Sequence, residues 1–540
     1  MKKGKISFLL FALLVLIATN YFILIPLNPR YKATFTVYII IFLGVTILFS
    51  KNLYKITPKF NQYTNSYVNQ LVFEKGIAGL FILAGIILFF HFNSATPILF
   101  SRQYQQLLGE VKSEEFTGNF SAISMDQLPV VDRAYAELLG DKKLGEDRGL
   151  GSEFYVGNYT DVVIDGQLFL VAPLEYRDFF KWIGNKNEGI PGYIKVNKVT
   201  GEATLVRQVD GKDLGLKYMP SAFFNQDLHR RAYFQNNMFN QLYNTYFEID
   251  DLGNPYWIIP KTELTISISG GLDIKSVVVV NAQNGEVAEY TPEEAPAWID
   301  NIYPKELVIR QIDYWGLYVK GFLNSVFGEK EVISSTYGSR RVYNNGLYHY
   351  TGLTSIGSDQ STVGFIFTST RSKEATYYKI SGATEQAAMD SAEGKVQNLR
   401  YSATFPIPMN VNSNPTFFIT LKDDKGLIKQ YAFVNINDYS IVGNGETINK
   451  AREEYLKALN IEFEIPVDED NQLEVSGVVS RVGSSVVDGT TYYYILLENG
   501  EIYEANATIS NELSLTNIGD KVKFSHSEYS ISKFDNESVK

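Results

Sequence analysis

Three long apolar runs, all before residue 95, constrain this chain more than any other feature. Ile6–Leu27, Ala33–Ser50 and Ile77–Phe92 are about 16–22 residues each and hold no Lys, Arg, Asp or Glu. At a helical rise of 1.5 Å per residue, such lengths approach the roughly 30 Å hydrocarbon core of a bilayer. They predict three N-terminal transmembrane helices, a membrane anchor over residues 1–93. The basic residues then set its orientation. Lys2, Lys3 and Lys5 precede the first run, and Lys51, Lys55, Lys59 and Lys75 separate the second from the third. Only Arg30 and Lys32 separate the first from the second. By the positive-inside preference the N-terminus is cytoplasmic, and the body after Phe92 is extracellular. The first run is too long for a signal peptide and shows no small-x-small cleavage site, so it reads as a retained anchor.

Charge follows the same partition. Of 49 basic and 60 acidic residues, nine basic ones and Glu74 lie before residue 94, leaving 40 against 59 beyond it, a net of about −19. So acidic a body repels phosphodiester backbones and predicts no nucleic-acid partner. Cysteine is absent. No disulfide can staple the external part, and its folding must rest on packed cores, which suits a single-membrane bacterium.

Past the anchor the chain alternates helical and strand patterns. Residues 94–152 read as a membrane-proximal stalk, a helix (Asp126–Leu139, ended by Gly140) and a Gly-rich loop. Strand signals then recur in a fixed relation. Val196-Asn197-Lys-Val-Thr-Gly201-Glu202 matches Val280-Asn281-Ala-Gln-Asn-Gly285-Glu286 about 84 positions later. Asn254-Pro-Tyr-Trp-Ile-Ile259 matches Asn414-Pro-Thr-Phe-Phe-Ile-Thr420, whose partner strand ends in Val434-Asn435. Asn284-Gly285 reads as a type I′ hairpin turn. A helical pattern precedes each copy: Asp126–Leu139, Asn225–Leu242 and Glu385–Gln397. The fold class is α+β: three transmembrane helices, tandem helix-plus-antiparallel-sheet units at 153–220, 221–292 and 383–465, and a small β-barrel. Residues 293–382 read as a helical connector with short strands. The third unit closes with an amphipathic helix at Glu446–Leu459. An acidic linker at Pro466–Asn471 opens the last segment, 466–540, whose short strands and Asp488-Gly489 and Asn499-Gly500 turns predict an OB- or SH3-like barrel with a tail.

Motifs of chemistry are scarce. The four histidines, His91, His229, His349 and His526, are isolated, and no zinc spacing exists. No P-loop, G-x-G-x-x-G or nucleophile elbow is present. Ser530-Ile-Ser-Lys533 has the spacing by which a lysine activates a serine on a helix, but it sits in a polar tail. Asp423-Asp424 and Asp468-Glu469-Asp470 lack the calcium-loop pattern and read as solvated turns. Catalytic, cofactor-binding and metal-ligating residues are therefore all expected to be none. If carboxylates act, Asp147, Glu153 and Asp165 near the Gly-rich loop are the place to look.

The helix-plus-hairpin unit that closes on Val278–Val287 resembles the PepSY unit over roughly 45–60 residues per copy. The order of Ile190-Pro-Gly-Tyr-Ile-Lys-Val196, Asp313-Tyr-Trp-Gly316 and Ile380-Ser-Gly-Ala-Thr-Glu385 is similar to an uncharacterised family of multi-span membrane proteins of low-GC Gram-positive bacteria. The PepSY resemblance implies a non-enzymatic role outside the membrane, restraining or touching other envelope proteins. The chain lacks the peptidase domain such units often accompany. The leading expectation is a multi-pass cell-membrane protein that scaffolds an envelope protein partner. A sensor or binder of a small ligand, peptide or glycan is the second, and a carboxylate-dependent wall hydrolase the third.

Overall fold

The N-terminal helices differ from that expectation. In the computed structural model, residues 17, 20–54, 66–116, 128–147, 149–336, 338–343, 346–355, 361–460, 473–487, 490–527 and 530–539 are described. Helices α1 (Lys32–Tyr54) and α2 (Ser66–Asn93) pack on one another, and a turn at Ser94 leads into α3 (Pro97–Gln105). Among the described residues a single helical run, Ala78–Leu108, is long and apolar enough to cross a membrane. Lys32–Gly44 is apolar but shorter. The expected three transmembrane helices are therefore corrected to one qualifying helix on a chain made mainly of sheets. One physical reason lies at the end of the first run. Asn20 and the Ile25 carbonyl accept from the Tyr233 hydroxyl (2.6 Å each), and the Leu27 N–H donates to the Met238 carbonyl at 2.6 Å. Hydrogen bonds to the protein body thus hold the end of that run. Most of Ile6–Leu27, together with Lys2, Lys3, Lys5, Lys55, Lys59, Pro466–Asn471 and Asp488-Gly489, lies outside the described residues.

Beyond α3 the chain up to Asn460 forms one body and Ile461–Lys540 another. The first body is built from one module used four times. Each module has a helix and a four-stranded antiparallel meander, and in three of the four a short strand also pairs with the meander's second strand. The helices are α4 (Arg133–Gly145), α6 (Leu228–Phe234), α7 (Lys305–Leu317) and α8 (Glu385–Lys395), with a further short helix, α5 (Phe179–Asn185), between the second and third meander strands of the first module. The first meander runs through Thr160–Ile164, Gln167–Tyr176, Tyr193–Asn197 and Ala203–Val206. The second uses Tyr246–Ile249, Pro255–Ile266, Gly270–Asn281 and Val287–Tyr290. The third uses Arg340–Tyr343, Leu347–Ser355, Ser361–Ser369 and Ala375–Ala383. The fourth uses Ile407–Val411, Asn414–Lys422, Ile428–Asn435 and Val442–Gly445. The short strands Phe154–Val156, Ile333–Ser335 and Ser402–Ala403 pair with the second strand of their meanders. In the second module one bridge, Leu242 to Lys261, takes that place.

The third of these modules fills the stretch read from sequence as a connector, and its turn explains why. After the third strand of each module one side chain caps the turn. Asn197 accepts from the N–H groups of Val199 and Thr200, Asn281 from Gln283 and Asn284, and Asn435 from Asn437 and Asp438, all at 2.8–3.1 Å. The third module does this with Ser369, whose hydroxyl accepts from Arg371 and Ser372 at 3.3 and 3.2 Å. Where Gly201 and Gly285 take a left-handed φ of 74° and 72°, Lys373 takes 62°. A serine and a lysine thus perform what Asn and Gly perform elsewhere, and the motif disappears while the geometry stays. The same bonds correct the turn at Asn284-Gly285. A type I′ turn needs both residues left-handed, and of the two only Gly285 is.

Several helix limits shift for local reasons. Leu128–Val131 is a buried, extended lead-in, so the first module's helix starts only after Asp132, whose carboxylate caps it at Tyr135 N–H (2.9 Å). Gly140 lies inside that helix because the Tyr159 hydroxyl presses against it where a Cβ would sit. α6 stops at Phe234 because Asn237 turns its amide onto the Ala232 and Gln235 carbonyls (2.8 and 2.9 Å). α9 (Ile448–Ala458) buries Ala451, Tyr455 and Leu456 against the last meander.

Packing joins neighbouring modules. Ile258, Val277 and Val279 of the second meander, Leu307, Val308 and Ile312 of α7, and Leu353 and Ile366 of the third meander form one core. The ring of Phe365 meets Phe417 of the fourth meander at 5.6 Å. In the second body, strands Leu473–Val487, Thr490–Leu497, Ile502–Asn506, Lys521–Ser527 and Ser530–Asn536 close a barrel in the order 1-2-3-5-4, around Val479, Ile495, Tyr503 and Phe524. Ser530 to Lys533 lies on the last of these strands, so the helical spacing that brings such a pair together is not available there.

Replacing the turn residues tests this account. Asn281→Ala removes two hydrogen bonds at a partly exposed turn and should lower stability by about 1 kcal/mol. Asn435→Ala also strips a 3.1 Å bond from the buried Tyr455 hydroxyl and should lower it by on the order of 2 kcal/mol. Chemical denaturation of the two variants measures the difference, and the reverse ranking would contradict the reading.

Candidate cavity at the junction of the four modules

All four modules contribute to one cavity of about 670 Å³. The first supplies Asp132 and Arg133 at the start of α4, Tyr159–Asp161 at the first strand, and Lys198 in the capped turn. The second supplies Asn244–Tyr246. The third supplies Lys305 and Glu306, in the first turn of α7, and Ser339–Arg341 entering its meander. The fourth supplies Thr404 and Phe405. Apart from Lys198, these segments lie at or next to strand starts and helix starts. Five cations therefore face three carboxylates in a chain whose net charge is −11.

The carboxylates are already engaged. Asp161 accepts from Lys198 Nζ at 2.7 Å and lies 3.5 Å from Arg341. Burial opposes its charge, but Lys198 and Arg341 outweigh burial and hold its carboxyl below the usual range. Asp132 is bonded by Lys422, and Glu306 accepts from the Asn244 amide at 3.1 Å. The cations are less well matched. Arg340 donates to the carbonyls of Phe405 (2.6 Å) and Pro129 (3.4 Å), and Arg133 to that of Tyr159. Lys305 has no ion-pair partner among the described residues. Among the described residues the buried Ser339 hydroxyl has no hydrogen-bond partner. Arg340 is half-buried, and that burial holds its guanidinium below the ordinary range although the Asp132 and Asp161 charges oppose the shift.

Behind Arg341 lies a second layer. Glu248 is fully buried and accepts from the N–H groups of Asp300 (2.8 Å) and Asn301 (3.0 Å) and from the Asn301 amide (2.8 Å). Asp300 accepts from the Val163 N–H at 2.6 Å. Burial raises both carboxyls above their ordinary range, and the nearby Glu248 charge raises Asp300 further. His349, buried and beside Arg341, is pushed down to about 3 and stays neutral. Its Nε2–H donates to the Tyr303 carbonyl at 2.9 Å. This layer supports Arg341 from below and does not line the cavity.

The carboxylates singled out in the sequence lie elsewhere. Asp147 pairs with Arg207 at 2.5 Å on the surface, Glu153 accepts from Asn185 at 3.0 Å, and Asp165 holds a left-handed turn at φ 49°. None lines the cavity, and the three are not brought together around it. The residues that do line it include the doublet Arg340-Arg341. Adjacent arginines at a strand entry were its signal, since charges in such a place are rarely buried without a purpose. Among the described residues no group of three His, Cys, Asp or Glu is placed to hold a metal ion. The cavity lining carries no histidine, and each of its carboxylates already has a hydrogen-bonded partner. Its evident chemical capacity is to hold negative charge.

Comparison with known proteins adds little. No family model matches the chain, and no curated protein does. Among solved structures, an ACO/RPE65 chimera aligns at 7% identity over 53% of this chain and 48% of its own, with a TM-score of 0.13. A mutant Trypanosoma rangeli sialidase displaying trans-sialidase activity aligns at 9% identity over 71% and 53%, with a TM-score of 0.16. The chain spans about half the length of each. Likenesses this slight carry no argument.

The buried acids make stability depend on pH. An acid held above its unfolded value keeps its proton in the folded state where the unfolded chain has lost it, so stability falls as pH climbs between the two values. Thermal unfolding midpoints should therefore drop from about pH 5 to about pH 8. Asp300→Asn, which retains an acceptor for Val163, should flatten that drop. Parallel pH profiles for both proteins would rule Asp300 out as its source.

Proposed function

We propose that this protein is a membrane-attached binding protein whose external body holds a small, multiply charged anion in the cavity between its four modules. The observation that carries the reading is the lining itself: five cations, of which Lys198 is buried, Arg340 and Arg341 half-buried and Arg133 and Lys305 exposed at the rim, three carboxylates already bonded to other groups, and a Ser339 hydroxyl without a partner among the described residues. Guanidinium groups match phosphate and carboxylate oxygens in pairs, and a recess with low-dielectric walls strengthens each contact. The first turn of α7 adds the positive end of its dipole on the same side. A volume of about 670 Å³ exceeds a single phosphate and suits a phosphorylated or polycarboxylate metabolite.

Membrane attachment rests on the apolar run Ala78–Leu108, and the external placement of the body on the lysine distribution read from the sequence. The scaffolding role expected of PepSY-like units has less support, because the modules bury much of their apolar surface against one another. A ligand-binding role draws on a built recess, whereas hydrolysis would need a free pair of facing carboxylates.

Calorimetric titration of the full chain in nanodiscs, with phosphate, pyrophosphate and citrate at low salt, tests the reading. Binding of at least one is expected. Lys305→Met should weaken it about tenfold, the equivalent of 1.4 kcal/mol, while Lys320→Met at a surface ion pair should leave it unchanged. Failure of all three anions to bind at millimolar concentration, or equal affinity in wild type and Lys305→Met, would sink it.

A further inference from the structure

We propose that the face from which the apolar helices leave the body is itself seated in the interfacial layer of the same bilayer, through two aprons of exposed apolar side chains. This rests on the membrane attachment proposed above and goes beyond it, since a tethered body need not touch lipid at all.

The first apron flanks the approach to α1. Phe22 is 69% exposed, and Phe224 and Phe234 stand beside it at 55% and 45%. The three are held as a group. Tyr21 lies 6.0 Å from the Phe234 ring, the Arg230 guanidinium covers Tyr21 at 4.8 Å, and Arg230 Nε donates to the Tyr21 carbonyl. The second apron flanks the exit from α2. Leu99, in the first turn of α3, is 73% exposed, and Leu323 and Phe327, past the end of α7, are 70% and 82% exposed. These also share a base. Tyr104, Tyr318 and Ile266 form a small core with Phe100 and Phe322 against it, and Gly321 packs on Ser101. Between the aprons, Arg30 Nη2 bonds the carbonyls of Leu264 (2.7 Å) and Ser267 (2.9 Å), and the Ser269 hydroxyl bonds the His91 carbonyl (2.9 Å). The second module's long hairpin is thereby latched to the helix ends.

Chain geometry fixes where this face lies. Leu99 follows Asn93, the end of α2, by six residues, a reach of at most about 20 Å. Phe22 precedes the start of α1 by ten, and between them Ile25, Leu27, Arg30 and Tyr31 are hydrogen-bonded to the body. The polar interfacial layers add several ångströms to each side of the hydrocarbon core. Side chains tied this closely to an embedded helix end lie within or beside that layer. Leaving a large apolar side chain in water forgoes about 1.5–3 kcal/mol. Two clusters of them on the face that carries the apolar helices therefore point to lipid, where aromatic rings settle at the headgroup level.

The absence of cysteine makes the test direct. Single variants Leu99→Cys, Phe327→Cys and Phe224→Cys, with Leu252→Cys as a control on an exposed turn away from the helix ends, are labelled with an environment-sensitive fluorophore. The full chain is then reconstituted in phosphatidylcholine vesicles with and without a lipid-borne quencher. The expected result is a blue-shifted emission quenched from the lipid at the three apron positions, and a water-like emission at Leu252. If the chain stays in alkali-washed vesicles while the apron labels are quenched by aqueous iodide, this inference falls and the membrane attachment stands. Labels shielded from iodide but not quenched by lipid mark a protein partner and also overturn it. Release of the whole chain by the alkaline wash overturns the attachment and the inference together.

Discussion

One backbone position per module holds the first body together. It is the residue just after the turn-capping side chain: Lys198, Ala282, Thr370 and Ile436. Its N–H donates back to the second meander strand, at Leu168, Pro255, Leu347 and Pro415. Its carbonyl accepts from the lead-in to a helix, at Val131, Lys217 and Tyr218, Ile302 and Tyr303, and Ala383, all at 2.7–3.1 Å. All four residues are buried. Buried peptide groups left without partners are costly, so each position fixes the turn, the strand register and the entry of a helix at once. Without it the helix lead-ins would have no fixed place, and neither would the cavity that they wall.

That position also explains the charge of the cavity. In the first module it is a lysine, and its side chain reaches Asp161 while its backbone does the structural task. Arg340 and Arg341 enter the third meander at its first strand, and Asp132 and Lys305 stand at or next to the caps of α4 and α7. Positions needed to start an element are therefore the positions that face inward when four modules converge. Lys198 is buried and Asp132, Arg340 and Arg341 are half-buried there, while Lys305 stands at the exposed rim. Such a cluster is poorly justified as a stabilising device, because well-packed apolar groups would serve as well or better. A role in holding a ligand gives it a reason.

The legible and illegible parts of the sequence separate cleanly by residue type. The Val-Asn-x-x-x-Gly turns at Asn197 and Asn281, and Val434-Asn435, could be read because Asn caps a turn and Gly accepts a left-handed φ at little cost. Ser369 and Lys373 could not, because serine caps without being diagnostic, and lysine hides its left-handed backbone. Of the candidate site nothing was foreseen: Asp147, Glu153 and Asp165 were favoured for standing near a glycine-rich loop. The acids and bases that do meet come from stretches as far apart as Asp132 and Lys422, a distance no local pattern encodes.

What the sequence settled alone was local and compositional: an apolar N-terminal end, an acidic body without disulfides, strands closed by capped turns, and an absence of the familiar catalytic motifs. Periodicity and turn chemistry act within a few residues, so one chain suffices to read them. Tertiary structure alone decided that the module occurs four times, that among the described residues one helical run qualifies to cross a bilayer, and that like charges crowd a shared recess. Those outcomes depend on which backbone groups find partners across a hundred residues or more, and on how much water is excluded when they do.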